Sequence, residues 1–527
     1  MDTNTVAQAK THHSDAHRDA AVWVWLQGAG IGVLVMLRLL WVHISPLHED
    51  LFHRNLPMTS VYRGVLIDFL VACVVGIAVM RVMDRRDPQS RSWLWIPIAA
   101  ALMARAAGWA QETWIEAAWV TPRRVFLCCA VIGLVLWIVR RTWYAAAVRC
   151  WRVLLLGVGC CIGWILPQLA WMAVHPEPVQ ARSFTRPMSG VASRRVIWIL
   201  FDELSRDQTF DRRYPGLALP NFDRFAAESV SFSDVQPDGY MTEMIIPGLM
   251  DGNVIVDEKT DLDGRLYVKT QHDPHWHAYP AQNTLFAEAQ RAGWSTAAAG
   301  WFLPWCRLYE NELDACFRTM RFPLPGGYSR QRSAVWNALA PIRKPLLRIA
   351  GQPLRTTSPA ELHARDFREI LAHGESMIAD ERIGFVFLHL PVPHPTGFYD
   401  RATDTLGHPG SYIDNLALAD RTLAQILEAI GQTGAADRTT VVISSDHSWR
   451  IPMWRPEAGW TQEDEAALGN RGFDQRPVLM VRFPGEHDGA QVNAAVPIIR
   501  EHDLIQAILA QRITTAEQLQ QWAAPPR

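Results

Sequence analysis

Asp202 closes one hydrophobic run, Val196-Ile-Trp-Ile-Leu-Phe-Asp202-Glu203, and Asp446-His447 closes another, Thr440-Val-Val-Ile-Ser-Ser-Asp446-His447. Carboxylates and imidazoles bind divalent metals; oxygen ligands with one imidazole suit Zn or Mn. Each run reads as a buried strand that carries its ligands at the carboxyl end, the edge where open parallel α/β sheets bind ligands. About 240 residues lie between the two aspartates. Only a fold that sets the two strands side by side makes one site of them. Glu203, next to Asp202, is a further ligand or a support for one.

Between these strands lies Asp238-Gly-Tyr-Met-Thr242-Glu-Met-Ile-Ile-Pro247-Gly-Leu-Met-Asp-Gly252. A hydroxyl is a weak nucleophile near neutral pH. Metal coordination makes it alkoxide-like, and a helix amino terminus stabilises the anion. Thr242, followed by a helix-compatible run, suits that role; alone it would be an ordinary capping threonine. Phe387-Leu-His389-Leu-Pro-Val-Pro-His394-Pro-Thr places two imidazoles on a Pro-bounded loop after a strand. They could hydrogen-bond an anionic substrate or protonate a leaving oxygen.

The elements that must hold these residues begin after a Pro-rich linker at 175–190. Strands are expected at 196–201, 295–299, 383–389, 440–445 and 478–483. Helices are expected at about 221–229, 282–292, 360–378 and 411–431. The alternation argues for one α/β domain over 191–527 with a mostly parallel sheet.

Everything before the linker reads as membrane. Apolar stretches fill roughly 21–42, 62–82, 92–111, 124–140 and 152–174, each near the ~20 residues that cross ~30 Å of hydrocarbon. Residues 1–20 are left as a tail, and 21–174 as a domain of five transmembrane helices. The first stretch follows a polar, His-rich start and is too long for a cleavable signal peptide. Arg81, Arg85, Arg86 and Arg91 crowd one loop, and Arg140, Arg141, Arg149 and Arg152 another. The positive-inside rule then puts the amino terminus in the cytoplasm and the α/β domain outside.

Of eight cysteines, only Cys306 and Cys316 lie in the polar domain. In an oxidising compartment they would form a disulfide. Arg38, Asp68 and Arg105 interrupt the spans, all in the outer half of the bilayer by this topology. Charges there are costly and paired or functional. An Arg–Asp pair with one snorkelling arginine is the plainer reading. In the sharper one, Arg38 or Arg105 holds a lipid phosphate. The basic stretch Arg330–Arg355 reads as a solvated helix broken by Pro341 and Pro345, with contact to anionic headgroups as the alternative. The net charge of −2 identifies no partner, and no nucleic acid is expected.

Taken together, these segments resemble the alkaline phosphatase/sulfatase superfamily, specifically its membrane-anchored phosphoethanolamine transferases and lipoteichoic acid synthases. Val196–Asp202 looks like the opening strand with its acidic ligand. Pro220-Asn-Phe-Asp-Arg-Phe-Ala is similar to the Pro-Asn-x-Asp-x-x-Ala segment of the superfamily. Thr242 with Pro247 matches the nucleophile segment, His389 and His394 a pair lining the donor site, and Ser445-Asp446-His447 the second ligand motif. Arg476-Pro-Val-Leu-Met-Val-Arg-Phe-Pro-Gly485 resembles the closing strand.

The resemblance implies one divalent metal, Zn or Mn, on Asp202, Thr242, Asp446 and His447. It implies transfer of a phosphoethanolamine- or phosphoglycerol-type head group from a phospholipid, through phospho-Thr242, to an envelope glycan or lipid. His394 and His389 would assist, in a multi-pass protein of the bacterial inner membrane with its catalytic domain in the periplasm. Departures bear on this. The sulfatase Cys/Ser-x-Pro-x-Arg pattern is absent around Thr242, and threonine cannot become formylglycine. The transferases' flanking cysteines and Gly-Glu-Thr acid are missing. Ser-Trp-Arg450 follows His447 where Gly is usual, which puts a second metal site in doubt. A phosphate or sulfate ester hydrolase and a non-catalytic assembly protein are the alternatives.

Overall fold

The computed structural model describes residues 3–44, 58–87, 92–113, 127, 130, 131, 134, 144–175, 181–182, 190–261, 264–321, 324, 327–330, 332–349, 358–469 and 472–524. The chain forms two compact units: residues 1–48, 57–177 and 324–355, and residues 49–56, 178–323 and 356–527.

The first unit is helical, with α1 (Thr3–Ile44), α2 (Thr59–Arg86), α3 (Trp95–Thr113), α4 (Ala145–Cys160) and α5 (Ile162–Val174). Among the described residues, three helical stretches are long and apolar enough to cross a membrane: Ala21–Trp41, Thr59–Arg86 and Ala145–Val174. Trp95–Ala107 is a shorter apolar helix. The expected span at 124–140 lies mostly outside the described residues. Glycine permits the closest helix contacts. A Cβ on Gly76 of α2 would stand 2.2 Å from the Gly28 carbonyl oxygen of α1, and one on Gly159 of α4 1.9 Å from that of Leu26. Small residues let backbones approach this way where lipid supplies no hydrophobic drive.

Where the sequence suggests an arginine partner for Asp68, the structure places Tyr328, whose hydroxyl donates to the buried carboxylate. Arg105 donates to the Val35 carbonyl at 3.0 Å. Arg105 and Arg38 are both exposed.

In the second unit nine strands form one sheet: β1 (Ala181–Arg182), β2 (Arg195–Phe201), β3 (Val230–Phe232), β4 (Thr296–Trp301), β5 (Ala315–Thr319), β6 (Phe385–Leu390), β7 (Thr439–Ser444), β8 (Leu479–Arg482) and β9 (Ala490–Val492). Their order is β1-β5-β4-β6-β2-β7-β8-β3-β9. The central β5, β4, β6, β2 and β7 are parallel. β8 turns antiparallel against β7.

Every residue of β2 is buried, because helices cover both faces of a parallel sheet. Its alternate side chains serve two cores. Val196, Trp198 and Leu200 face α7 (Thr242–Asp251), α8 (Leu285–Arg291) and α11 (Arg500–Leu509). Ile197, Ile199 and Phe201 face α6 (Pro220–Ala227), α9 (Pro359–Ala379) and α10 (Tyr412–Gln432). The two long helices begin at capping boxes, Ser358 with Glu361 and Ser411 with Asp414, which satisfy backbone N–H groups that would otherwise be orphaned.

Cys306 and Cys316 are bonded, with Cα atoms 5.4 Å apart. The bridge ties the short helix Trp305–Leu308 to β5. Closing so short a loop contributes about 2–3 kcal/mol. Replacing both cysteines by alanine should lower the melting temperature by several degrees; an unchanged melt would show that buried packing alone holds this corner.

Candidate metal and nucleophile site

β2 and β7 are direct parallel neighbours, with Ser444 opposite Leu200. Their carboxyl ends therefore coincide, and the residues that follow, Asp202 and Asp446-His447, emerge side by side. Asp202, Asp446 and His447 bring ligand atoms within 4.8 Å of one another, and all three are buried.

Thr242 arrives from a different element. It is the first residue of α7, after Met241 in extended conformation, so its hydroxyl sits at the positive end of the helix dipole. The hydroxyl donates to Asp446 Oδ2 at 2.8 Å and lies 3.2 Å from His447 Nε2. The four residues singled out in the sequence thus meet in one place.

Hydrogen bonds to the imidazoles show what this place can hold. His447 Nδ1 is 3.1 Å from the Ser448 carbonyl, and a carbonyl can only accept. Nδ1 therefore carries the hydrogen, and Nε2 faces Asp446 Oδ2 at 3.0 Å. His389 repeats the pattern: Nδ1 donates to the Trp301 carbonyl at 3.0 Å, and Nε2 faces Asp202 Oδ2 at 3.2 Å. A lone pair against a carboxylate oxygen is repulsive, so a proton or a metal cation must intervene. A backbone carbonyl that fixes the tautomer and leaves Nε2 free is how proteins prepare a histidine ligand. Asp202 Oδ1 is buried with no hydrogen-bond partner among the described residues. This oxygen, the two aimed imidazoles and the O/N donor set all fit a divalent cation.

The charges agree. Burial and the neighbouring Asp446 push the Asp202 carboxyl above its ordinary range, since two carboxylates cannot both ionise cheaply in a dry site. Burial also opposes ionisation of Asp446, but the His447 imidazole outweighs it and holds that carboxyl low. Burial lowers the proton affinity of His447; Asp446 more than restores it, and the pKa stands above the usual 6.5. Loading a metal means displacing that proton. Zn affinity should thus fall as the pH drops below the raised pKa, approaching about tenfold per pH unit, as measured by chelator competition over a descending pH series that passes 6.5. A flat profile would show that His447 is not a ligand.

Glu203 is turned out of the strand in the left-handed region, φ 65°, a conformation that costs about 1–2 kcal/mol for a non-glycine residue. The Tyr412 hydroxyl holds it there by donating to its carbonyl at 2.8 Å. Its carboxylate accepts from Arg450 Nε at 2.6 Å and from Trp454 Nε1 at 2.8 Å. Asp202, Glu203 and His394 form the second group of ligand atoms within 4.8 Å, yet Arg450 already lies among them. Its Nη2 donates to His394 Nε2 at 3.3 Å, and its Nη1 to the Tyr240 carbonyl at 2.9 Å. Burial opposes the guanidinium charge, but Glu203, Asp202 and Asp446 keep it protonated.

Because Nε2 of His394 accepts, its Nδ1 bears the hydrogen, and that buried N–H has no partner among the described residues. Burial and Arg450 hold this imidazole neutral. Arg450 is the residue that sequence reading missed. Its signal was the departure after Asp446-His447, where a charged residue stands near a ligand motif. The exposed cluster around Asp273 contributes to neither group of ligand atoms. His275 lies 3.1 Å and His277 3.6 Å from that carboxylate.

The sequence model of the type I phosphodiesterase / nucleotide pyrophosphatase family matches residues 250–450. No curated protein matches the sequence. Among solved structures, the phosphonate monoester hydrolase of Agrobacterium radiobacter is 15% identical with a TM-score of 0.37, covering 63% of this chain and 78% of that one. The lipoteichoic acid synthase LtaP from Listeria monocytogenes is 12% identical with a TM-score of 0.38, covering 62% and 77%. The PsFucS1 sulfatase from Pseudoalteromonas sp. is 13% identical with a TM-score of 0.37, covering 60% and 67%.

Proposed function

We propose that this chain is a member of the alkaline phosphatase superfamily and a membrane-bound phospho-group transferase that works through a phospho-threonine at Thr242; the family match over 250–450 supports the first part. The observation that carries this reading is the Thr242 hydroxyl at a helix amino terminus, between Asp446 and His447, beside an unpartnered Asp202 oxygen. Asp202, Asp446, His447 and Thr242 would hold one divalent cation, Zn or Mn. When bound, it supplies a Lewis acid that lowers the pKa of the hydroxyl and offsets charge on the attacked diester.

The chain's own groups do the rest. The Thr242 hydroxyl gives up its proton along its hydrogen bond to Asp446 and on to water, its oxygen attacks phosphorus as the bond to diacylglycerol breaks, and the leaving oxygen takes up a proton from water. A hydroxyl of an envelope glycan or lipid then takes the head group from the threonine, and its proton returns to the released Thr242 oxygen. His394 is better placed than His389 to serve the leaving oxygen, because His389 Nδ1 is bound to the Trp301 carbonyl and its Nε2 is aimed at Asp202, whereas the Nδ1–H of His394 has no partner among the described residues. Being neutral, it would hydrogen-bond the developing charge rather than carry a full proton across.

A lipid donor accounts for the apolar helices. In this reading they belong to five crossings of a bacterial inner membrane, residues 191–527 are the periplasmic catalytic domain, and Arg38 or Arg105 meets the donor phosphate.

A second reading is hydrolysis of a phosphodiester, with water in place of the glycan. It is favoured by the phosphodiesterase family match over 250–450. One experiment separates the two: the metal-loaded full chain is given head-group-labelled phospholipid without acceptor. A transferase accumulates diacylglycerol only to the level of enzyme and keeps the label on Thr242. Continuous release of free labelled head group would establish the hydrolase.

A further inference from the structure

Residues 324–355 fall in the sequence between β5 and α9 of the sheet unit, yet they belong to the compact unit of apolar helices. Their contacts are with the start of α2. Asn337 is fully buried and donates to the Ser60 carbonyl at 3.2 Å. Gly64 is needed for that fit, since a Cβ there would stand 2.5 Å from Asn337 Cβ. Tyr328 reaches the buried Asp68 one turn further along α2. The His175 carbonyl just beyond α5 accepts from Thr59 at 3.3 Å. One end of α2 and the end of α5 therefore share a level, and the segment packs at that level.

A helix of 28 residues is about 42 Å long at 1.5 Å per residue, which exceeds a hydrocarbon core of about 30 Å. The excess lies outside the hydrocarbon, and Thr59, Ser60 and Arg63 make the first turns of α2 polar. The segment consists of two short helices in near-continuous sequence, Ala334–Ala338 and Ala340–Ile349. Val335, Leu339, Ile342 and Leu346 follow one another at intervals of four, three and four residues, and are 69%, 50%, 60% and 58% exposed. That spacing lays four large aliphatic side chains along one helix face, while Asn337 and Ala340 are buried.

A solvated helix would present charge on that face. Here the charge flanks it. Arg343 lies 3.3 Å from the ring centre of Trp336 and donates to the Trp336 and Gly327 carbonyls, which fixes the ring, while the exposed Arg332 lies 5.4 Å from that centre. An aromatic ring between cations beside an aliphatic stripe is the composition of helices that lie in a headgroup layer.

We propose that this segment is an interfacial anchor: it lies flat in an anionic bilayer on the side where α2 begins, with Val335, Leu339, Ile342 and Leu346 among the acyl chains and Arg332, beside Trp336, on lipid phosphate. The inference rests on α2 crossing a membrane and not on the chemistry at Thr242. It makes the inserted loop a second attachment of the sheet unit to the lipid, independent of the linker at 175–190.

The test uses the full chain in vesicles, with a nitroxide introduced through a non-natural amino acid at 335, 339, 342 or 346 in turn. All four sites are exposed, so the label displaces no packing, and metal content and melting temperature check each variant. In vesicles containing phosphatidylglycerol, the labels should relax strongly with dissolved oxygen and weakly with an aqueous nickel chelate. In purely zwitterionic vesicles, or with Arg332→Gln, the nickel accessibility should rise several-fold. Strong nickel relaxation in both lipids would overturn the anchor in favour of a solvated surface. Shielding from both relaxants would mean a protein partner or a second copy covers the face. Immersion indifferent to lipid charge would overturn the anionic recognition.

Discussion

Thr242→Ala is expected to abolish turnover of a labelled phospholipid, with a loss on the order of 10⁴-fold or more, as for removal of a covalent nucleophile. Thr242→Ser should retain a measurable fraction, because serine keeps the oxygen and costs only the methyl group that fixes its rotamer. Thr242 is buried at the start of α7; the alanine change removes its hydrogen bond to Asp446, about 1 kcal/mol, but no hydrophobic core residue, so the fold should persist with only a small drop in melting temperature. Intact-mass and peptide spectra of the wild type after exposure to lipid should show an adduct on Thr242, and its mass identifies the group carried. An alanine variant that turns over lipid at the wild-type rate would end the covalent route and leave direct attack by water or acceptor. This prediction reads the nucleophile, whereas the spin-label experiment reads the membrane contact, so either can fail without the other.

How much of this was legible before the structure depends on the distance over which each signal acts. The strands ending at Asp202 and Asp446 announced themselves because a fully buried strand must be continuously apolar, and β2 and β7 lie within one residue of their expected limits. Helices α9 and α10 were equally clear, each opening on a serine three residues before an acid. β5, Ala-Cys-Phe-Arg-Thr, was missed because a short strand with a polar half carries no hydrophobic period. Thr242 was identified as a nucleophile only through resemblance, since a threonine at a helix start is ordinary. What no local pattern could reveal is the Arg450 side chain folded onto Glu203, a contact across 247 residues. Likewise, the outward stripe from Val335 to Leu346 looked like a mixed basic helix until the burial of Asn337 fixed which face was inner.

Arg450 yields the second large effect. Its guanidinium neutralises a fully buried carboxylate, and removing one partner of such a pair costs about 3–5 kcal/mol, because the other charge is left uncompensated in a dry place. Arg450→Ala should therefore lower the melting temperature of the metal-free protein markedly. The same change frees Glu203 and His394, which with Asp202 already bring ligand atoms within 4.8 Å of one another. With the guanidinium gone, a second divalent cation is the natural counter-charge for that carboxylate. Metal analysis after dialysis against Zn should give one ion per chain for the wild type and approach two for Arg450→Ala. Saturating Zn should then recover much of the lost thermal stability, in proportion to the logarithm of its concentration. Arg450→Ala with Glu203→Gln removes both charges at once; it should restore most of the stability without Zn and hold a single ion. Two ions in the wild type would show that Arg450 does not close the second position, and one in Arg450→Ala would show that Glu203 and His394 cannot form it. The restored melt of the double variant distinguishes a charge effect from simple loss of packing around Trp454, which both variants share.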